Sequence, residues 1–124
     1  MAEARISQIQ LRTPPVMLVR IDEGQEPRGL RIDDLPFPIV RVRHPLPACT
    51  RILVLKPAVV LVGRTVQPRD FVLMVRAADE VGAAIVLVDA LSPAGLYEWT
   101  VRSVAAVRER REARASGQPL AQAS

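Results

Sequence analysis

Apolar positions fall in short unbroken or alternating runs, separated by stretches whose apolar residues recur at helical spacing. That succession predicts strands and helices in turn. Residues 6–12, "ISQIQLR", alternate weakly through Ile9 and Leu11 and predict an edge strand. Pro14 and Pro15 end it, because proline cannot donate to a ladder. "VMLVRI" (16–21) is apolar and rich in β-branched residues, which predicts the first core strand. Residues 22–35 hold Gly, Pro and acids, with room for a short helix near 27–35. "PIVRVRH" (38–44) sets Ile39, Arg41 and Arg43 against Val40 and Val42, the pattern of a strand with a polar face or an exposed edge.

"PLPACTRILVL" (45–55) predicts a helix starting after Pro47, with Ile52 and Leu55 inward. "PAVVLVG" (57–63) is apolar on both pleat faces, as a central parallel strand covered on two sides should be. Residues 68–82 read as a helix opened by Pro68, striped by Phe71, Met74, Val75 and Ala78, and closed by Gly82 as a left-handed cap. "AAIVLVDA" (83–90) predicts a second doubly buried strand. Over 92–115, Ser92 is the N-cap with Pro93 behind it, and Leu96, Thr100, Val104 and Val107 face the core. Residues 116–124 are small and polar and are expected to be a disordered tail.

Four βα units in succession imply one domain over 1–115. The class is α/β, a flavodoxin-like three-layer parallel sheet of about four βα units with the 6–12 strand as an extra edge. A 2-1-3-4 order puts the alternating strand 38–44 at one edge and the all-apolar strand 57–63 inside. It also makes 83–90 the opposite edge, and an uncharged apolar edge invites pairing. Either "ISQIQLR" or a second copy of the chain should cover it.

Composition narrows the function. The 124 residues are enough for a core without disulfides, and Cys49 is the only cysteine. No apolar run is long enough to span a bilayer, and the first residues lack a secretory leader's basic start and apolar stretch, so a cytoplasmic location is expected. The net charge is +4, and residues 102–114 hold five arginines against two glutamates. The cations are 16 arginines and Lys56, a bias of the kind a GC-rich genome produces. With only four aromatics, stacking platforms for single-stranded nucleic acid are not expected.

Across roughly residues 16–90 the chain resembles the response-regulator receiver family. "LVRIDEGQEPR" looks like that family's first strand and acidic pair, and the resemblance implies that Asp22 and Glu23 stand where carboxylates would hold Mg²⁺. "RILVLKPAVVLVG" looks like the second helix and third strand, which puts Gly63 at the phospho-acceptor position. "AIVLVDA" then takes the fourth strand's place, with Asp89 where a small hydroxyl residue usually stands. The fifth strand and its lysine have no counterpart. An acyl-phosphate site needs a carboxylate nucleophile, two carboxylates for the cation and a cationic neighbour. Gly63 offers no nucleophile and Lys56 precedes its strand, so phosphoryl transfer is unavailable in this register. Asp22, Glu23 and Asp89 remain a candidate acidic pocket, although an acid pair after a strand is more often a solvated turn.

In a rival register "VLVDALSPAGL" would make Asp89 the acceptor, against its plainer role of helping to cap the turn beside Ser92. His44 and Cys49 could pair as base and nucleophile, yet a turn histidine and a packed cysteine are the ordinary outcome. No Cys/His cluster suggests zinc, and no Gly-rich phosphate loop suggests a nucleotide, so no cofactor is expected. On the last helix Trp99, Arg102 and Ala106 point away from the predicted core face, the composition of a partner surface. The arginines there are read as complementing the helix dipole rather than meeting nucleic acid.

The sequence thus reads as a degenerate, truncated receiver-like domain without catalytic activity. It would serve as a protein-interaction or scaffolding module in a bacterial signalling or assembly system, binding another protein and forming homo-oligomers. A phosphorylatable receiver using Asp89 is the first alternative. An anti-sigma-factor-antagonist-like regulator is the second, though the serine expected at a helix start after the third strand is missing.

Overall fold

The computed structural model describes residues 13–21 and 32–117. Strands β1 (Val16–Val19), β2 (Ile39–Val42), β3 (Val59–Val62) and β4 (Ala84–Leu87) form one parallel sheet in the order β2-β1-β3-β4. This is the flavodoxin-like order that the run at 38–44 and the run at 57–63 imply. The helices are α1 (Pro45–Leu55), α2 (Pro68–Val81) and α3 (Pro93–Ala115), with single 3-10 turns at Ile32–Asp34 and Val88–Ala90.

Side chains alternate across each strand, so the sheet divides its residues between two cores. Val16, Leu18, Val59 and Leu61 meet Leu96, Val104 and Val107 of α3, together with Ile32 and Leu35. Met17, Val19, Val60 and Val62 meet Ala48 and Ile52 of α1 and Met74 and Ala77 of α2. Every residue of β1 and β3 is fully buried, which is why neither strand can carry a polar position. Thr100, the one polar residue among the buried ones described, donates its hydroxyl to the Leu96 carbonyl at 2.8 Å.

Local chemistry ends each helix. All three begin with a proline, where a missing N–H costs nothing. Gly82 closes α2 in the left-handed region, its N–H bonded to the carbonyls of Ala78 and Asp79. Lys56 closes α1 with the same handedness. Ser92 caps α3 by accepting the Gly95 N–H at 3.2 Å. The Arg111 guanidinium then ties the layers together at the N-terminal ends of the strands. It donates to the carbonyls of Lys56, Pro57 and Val81 at 2.8, 2.8 and 2.9 Å. These include C-terminal carbonyls left over by α1 and α2, so one side chain of α3 satisfies both helices across the sheet.

Several expectations need correction. The first helix starts at Pro45, before Pro47. Leu55 and Val75 are exposed, and Ala77 takes a place in the buried stripe of α2. Leu55, the last residue of α1, lines an open cavity with Pro14 and Lys56, and Val75 is turned about 100° round α2 from the buried Met74. The strand expected over 83–90 ends at Leu87, and all four residues of β4 are only half-buried. Its sequence is that of an inner strand, but its place is an edge. The expected strand at 6–12, the helix start near 27 and most of the tail lie outside the described residues.

Candidate functional site

In an open parallel sheet, the C-terminal ends of the strands are where ligands and chemistry gather. Here that end is closed by backbone. Arg20, just after β1, is turned to φ 61°, a left-handed conformation that costs a non-glycine residue about 1–2 kcal/mol. Its N–H bonds the Val42 carbonyl at 2.9 Å, and the neighbouring Gly63 N–H bonds the Val19 carbonyl at 2.8 Å. The turn directs the Arg20 carbonyl oxygen at Gly63. A Cβ on Gly63 would lie 2.4 Å from that oxygen and 3.3 Å from the Val19 oxygen. Residue 63 must therefore be glycine while Arg20 keeps this turn. Past Gly63 the chain folds straight back, the Val66 N–H reaching the Gly63 carbonyl at 3.2 Å. Val66 is buried in the core that faces α1 and α2.

Electrostatics at this end are basic among the described residues. Arg20, Arg43 and Arg64 stand exposed just beyond β1, β2 and β3. Arg41 of β2 donates to the carbonyl of Ile21, just past the end of the neighbouring β1, at 2.8 Å. Asp89 is exposed in the 3-10 turn after β4. Asp22 and Glu23 lie outside the described residues, so the candidate acidic pocket is described only through Asp89. No group of three or more His, Cys, Asp or Glu able to hold a metal ion occurs among the described residues.

His44 is the exposed residue before α1, and Cys49 lies half-buried in the helix. Burial first, and Asp70 second, raise the Cys49 thiol pKa, while its backbone hydrogen bond lowers it. A raised thiol pKa is the reverse of what a nucleophile requires.

The predicted partner surface is split. Arg102 is exposed and pairs weakly with Glu98 at 3.4 Å, and Ala106 is exposed. Trp99 does not point away. It is half-buried and packs against the core that Ala84 and Val86 also join. The Tyr97 hydroxyl, donating to the Asp34 carbonyl at 3.4 Å, marks the flank of α3 that faces the turn before β2. Two residues on, Trp99 is turned about 200° around the helix and so lies on the flank next to β4.

At the opposite end of the sheet is an open cavity of about 320 Å³ lined by Pro14, Leu55, Lys56, Arg108 and Arg111 among others. Of its lining cations, Arg111 is already committed to three carbonyls. No helix among the described residues is long and apolar enough to cross a membrane. No family model matches the chain, and no curated protein or solved structure is significantly similar to it.

The two edges of the sheet differ. β2 carries Arg41 and is followed by Arg43, and charges of this kind discourage pairing. β4 is Ala84-Ile85-Val86-Leu87, without a charge or a proline. The signal for this surface was in the sequence, as an inner-strand composition with no further strand to pair with. The Arg20 turn and the Arg111 clamp had no such signal, because both depend on contacts between distant parts of the chain.

Proposed function

We propose that this chain is a non-catalytic, receiver-like module that works by protein–protein contact in a signalling or assembly system, with a second copy of itself as one partner. The observation that carries the reading is the seating of the Arg20 carbonyl against Gly63. It fills the position from which an acceptor side chain would have to project. The arginines around it favour anions over a hard dication. On this reading the ancestral chemistry was lost and the strand end kept for packing.

A second reading is favoured by Asp89, an exposed carboxylate at the end of β4. In it the chain is a phosphorylatable receiver with that residue as acceptor. Incubation with acetyl phosphate and Mg²⁺, followed by intact-mass measurement, separates the two. The interaction-module reading expects an unchanged mass. A hydroxylamine-labile phosphoryl adduct, absent from Asp89→Asn, would establish the second reading instead.

A further inference from the structure

We infer that the free edge of β4 joins two copies of the chain into an antiparallel, two-fold symmetric pair, making one continuous eight-stranded sheet. The inference rests on the self-association in the proposed function and names its surface, symmetry and register.

Backbone direction comes first. The Ala84 N–H bonds the Ala58 carbonyl at 2.9 Å, so the polar groups of Ala84 face β3. N–H and C=O groups alternate in direction along a strand, so those of Val86 also face β3 and those of Ile85 and Leu87 face outward. Among the described residues, no strand pairs with that outer side. Four outward groups on a half-buried apolar strand need partners, and an extended strand supplies them in kind.

Symmetry selects the second copy as the partner. Two identical edges pair antiparallel about an axis perpendicular to the sheet, and that operation leaves each face on its own side. Consequently α2 meets α2 of the other copy, and α3 meets α3. Both meeting flanks carry the required surface. On α2, Asp70 lies close enough to Cys49 of α1 to raise its thiol pKa, which marks the flank toward α1. Val75 lies about 140° round the helix from Asp70 and about 100° from the buried Met74, on the flank away from α1 and toward the free edge. It is 36% exposed. On α3 the flank beside β4 presents Trp99 and Ala106. A helix above the gap between β3 and β4 lies about one strand spacing, roughly 4.8 Å, from the axis. Its copy would then lie about 10 Å away, the separation of packed helices.

The same constraints fix the register. Side chains opposite one another must share a face, and the hydrogen-bonded pairs must be the outward residues. Pairing Ile85 with Leu87 of the other copy, and Leu87 with Ile85, uses all four outward groups. It puts Val86 on the axis facing its own copy in a non-hydrogen-bonded pair, with Cα atoms about 4.5 Å apart. That distance is within disulfide range.

The test uses the full chain with Cys49→Ala and a single new cysteine. Val86→Cys is expected to form a covalent dimer rapidly in air, and Ile85→Cys is expected to do so much more slowly. Val75→Asp, at an exposed position, brings two like charges together and should weaken association about tenfold or more. Thermal melts followed by circular dichroism confirm that each variant is folded. If the unsubstituted chain is monomeric at every concentration, including because its own first twelve residues occupy the edge, the self-association reading fails and this inference with it. If the chain dimerises but Val86→Cys does not cross-link and Val75→Asp associates normally, the β4 inference is overturned and self-association through another surface stands.

Discussion

The carbonyl oxygen of Arg20 occupies the space from which a side chain at residue 63 would start, 2.4 Å from where a Cβ on Gly63 would be. The overlap would be between a backbone oxygen and a Cβ, so it cannot be relieved by turning a rotamer. It joins the two strands at the centre of the sheet, and it explains the glycine at the end of β3 by packing alone.

Gly63→Ala should therefore destabilise the fold by about 2 kcal/mol or more, since backbone must move to accommodate it. Gly82→Ala is the control. A Cβ there meets nothing within 4 Å, so its cost comes only from the left-handed backbone at φ 71°, about 1 kcal/mol. In an Arg20→Gly background the backbone at residue 20 can turn away, and the penalty of Gly63→Ala should shrink. Urea midpoints of the three single variants and the double variant measure each effect.

Arg111 makes three charge-assisted bonds to carbonyls of Lys56, Pro57 and Val81. Arg111→Ala should lower stability by about 2 kcal/mol, because two partly buried acceptors and one exposed acceptor lose their donor. Arg111→Lys should recover less than half of that, as a single ammonium cannot reproduce the planar fork. Denaturant unfolding of both variants, compared with Arg110→Ala as an exposed neighbour, gives the ratio.

These two findings show where the sequence stopped being informative. The run "VVLV" at 59–62 reads as an inner parallel strand, and it is fully buried. Leu96, Thr100, Val104 and Val107 repeat at helical spacing, and all four face the core. Such patterns are local and survive in one dimension. Val75 is exposed and Trp99 half-buried, the reverse of what periodicity predicts, because both lie on helix flanks whose cover depends on neighbouring elements that their own helices do not encode. The half-buried state of β4 has the same origin. Asp22 and Glu23 stay sequence-level candidates, since they fall outside the described residues.

Cys49 provides a pH dependence whose sign can be stated. Its thiol pKa is raised in the folded chain by burial and then by Asp70. The native state therefore holds that proton more tightly than the unfolded state does. Stability is unaffected below the thiol pKa of the unfolded chain and falls as pH rises above it. Alkylation by iodoacetamide should be slower in the native chain than in urea at pH 8. Asp70→Asn should accelerate native alkylation, and an unchanged rate would show that Asp70 does not act on the thiol.

Trp99 is the only tryptophan, and it lies on the flank of α3 beside β4. If that flank is covered when two copies meet, its fluorescence maximum should move to shorter wavelength as concentration rises. Val75→Asp should move the transition to higher concentration without altering the spectrum at either limit.

The most direct measurement is residue-resolved amide hydrogen exchange across β4 at several protein concentrations. The Ala84 and Val86 amides face β3 and should be protected throughout. Those of Ile85 and Leu87 face outward and should be protected at high concentration and released on dilution. Rapid exchange of Ile85 and Leu87 at every concentration would contradict the account, since it would mean that this edge meets only water.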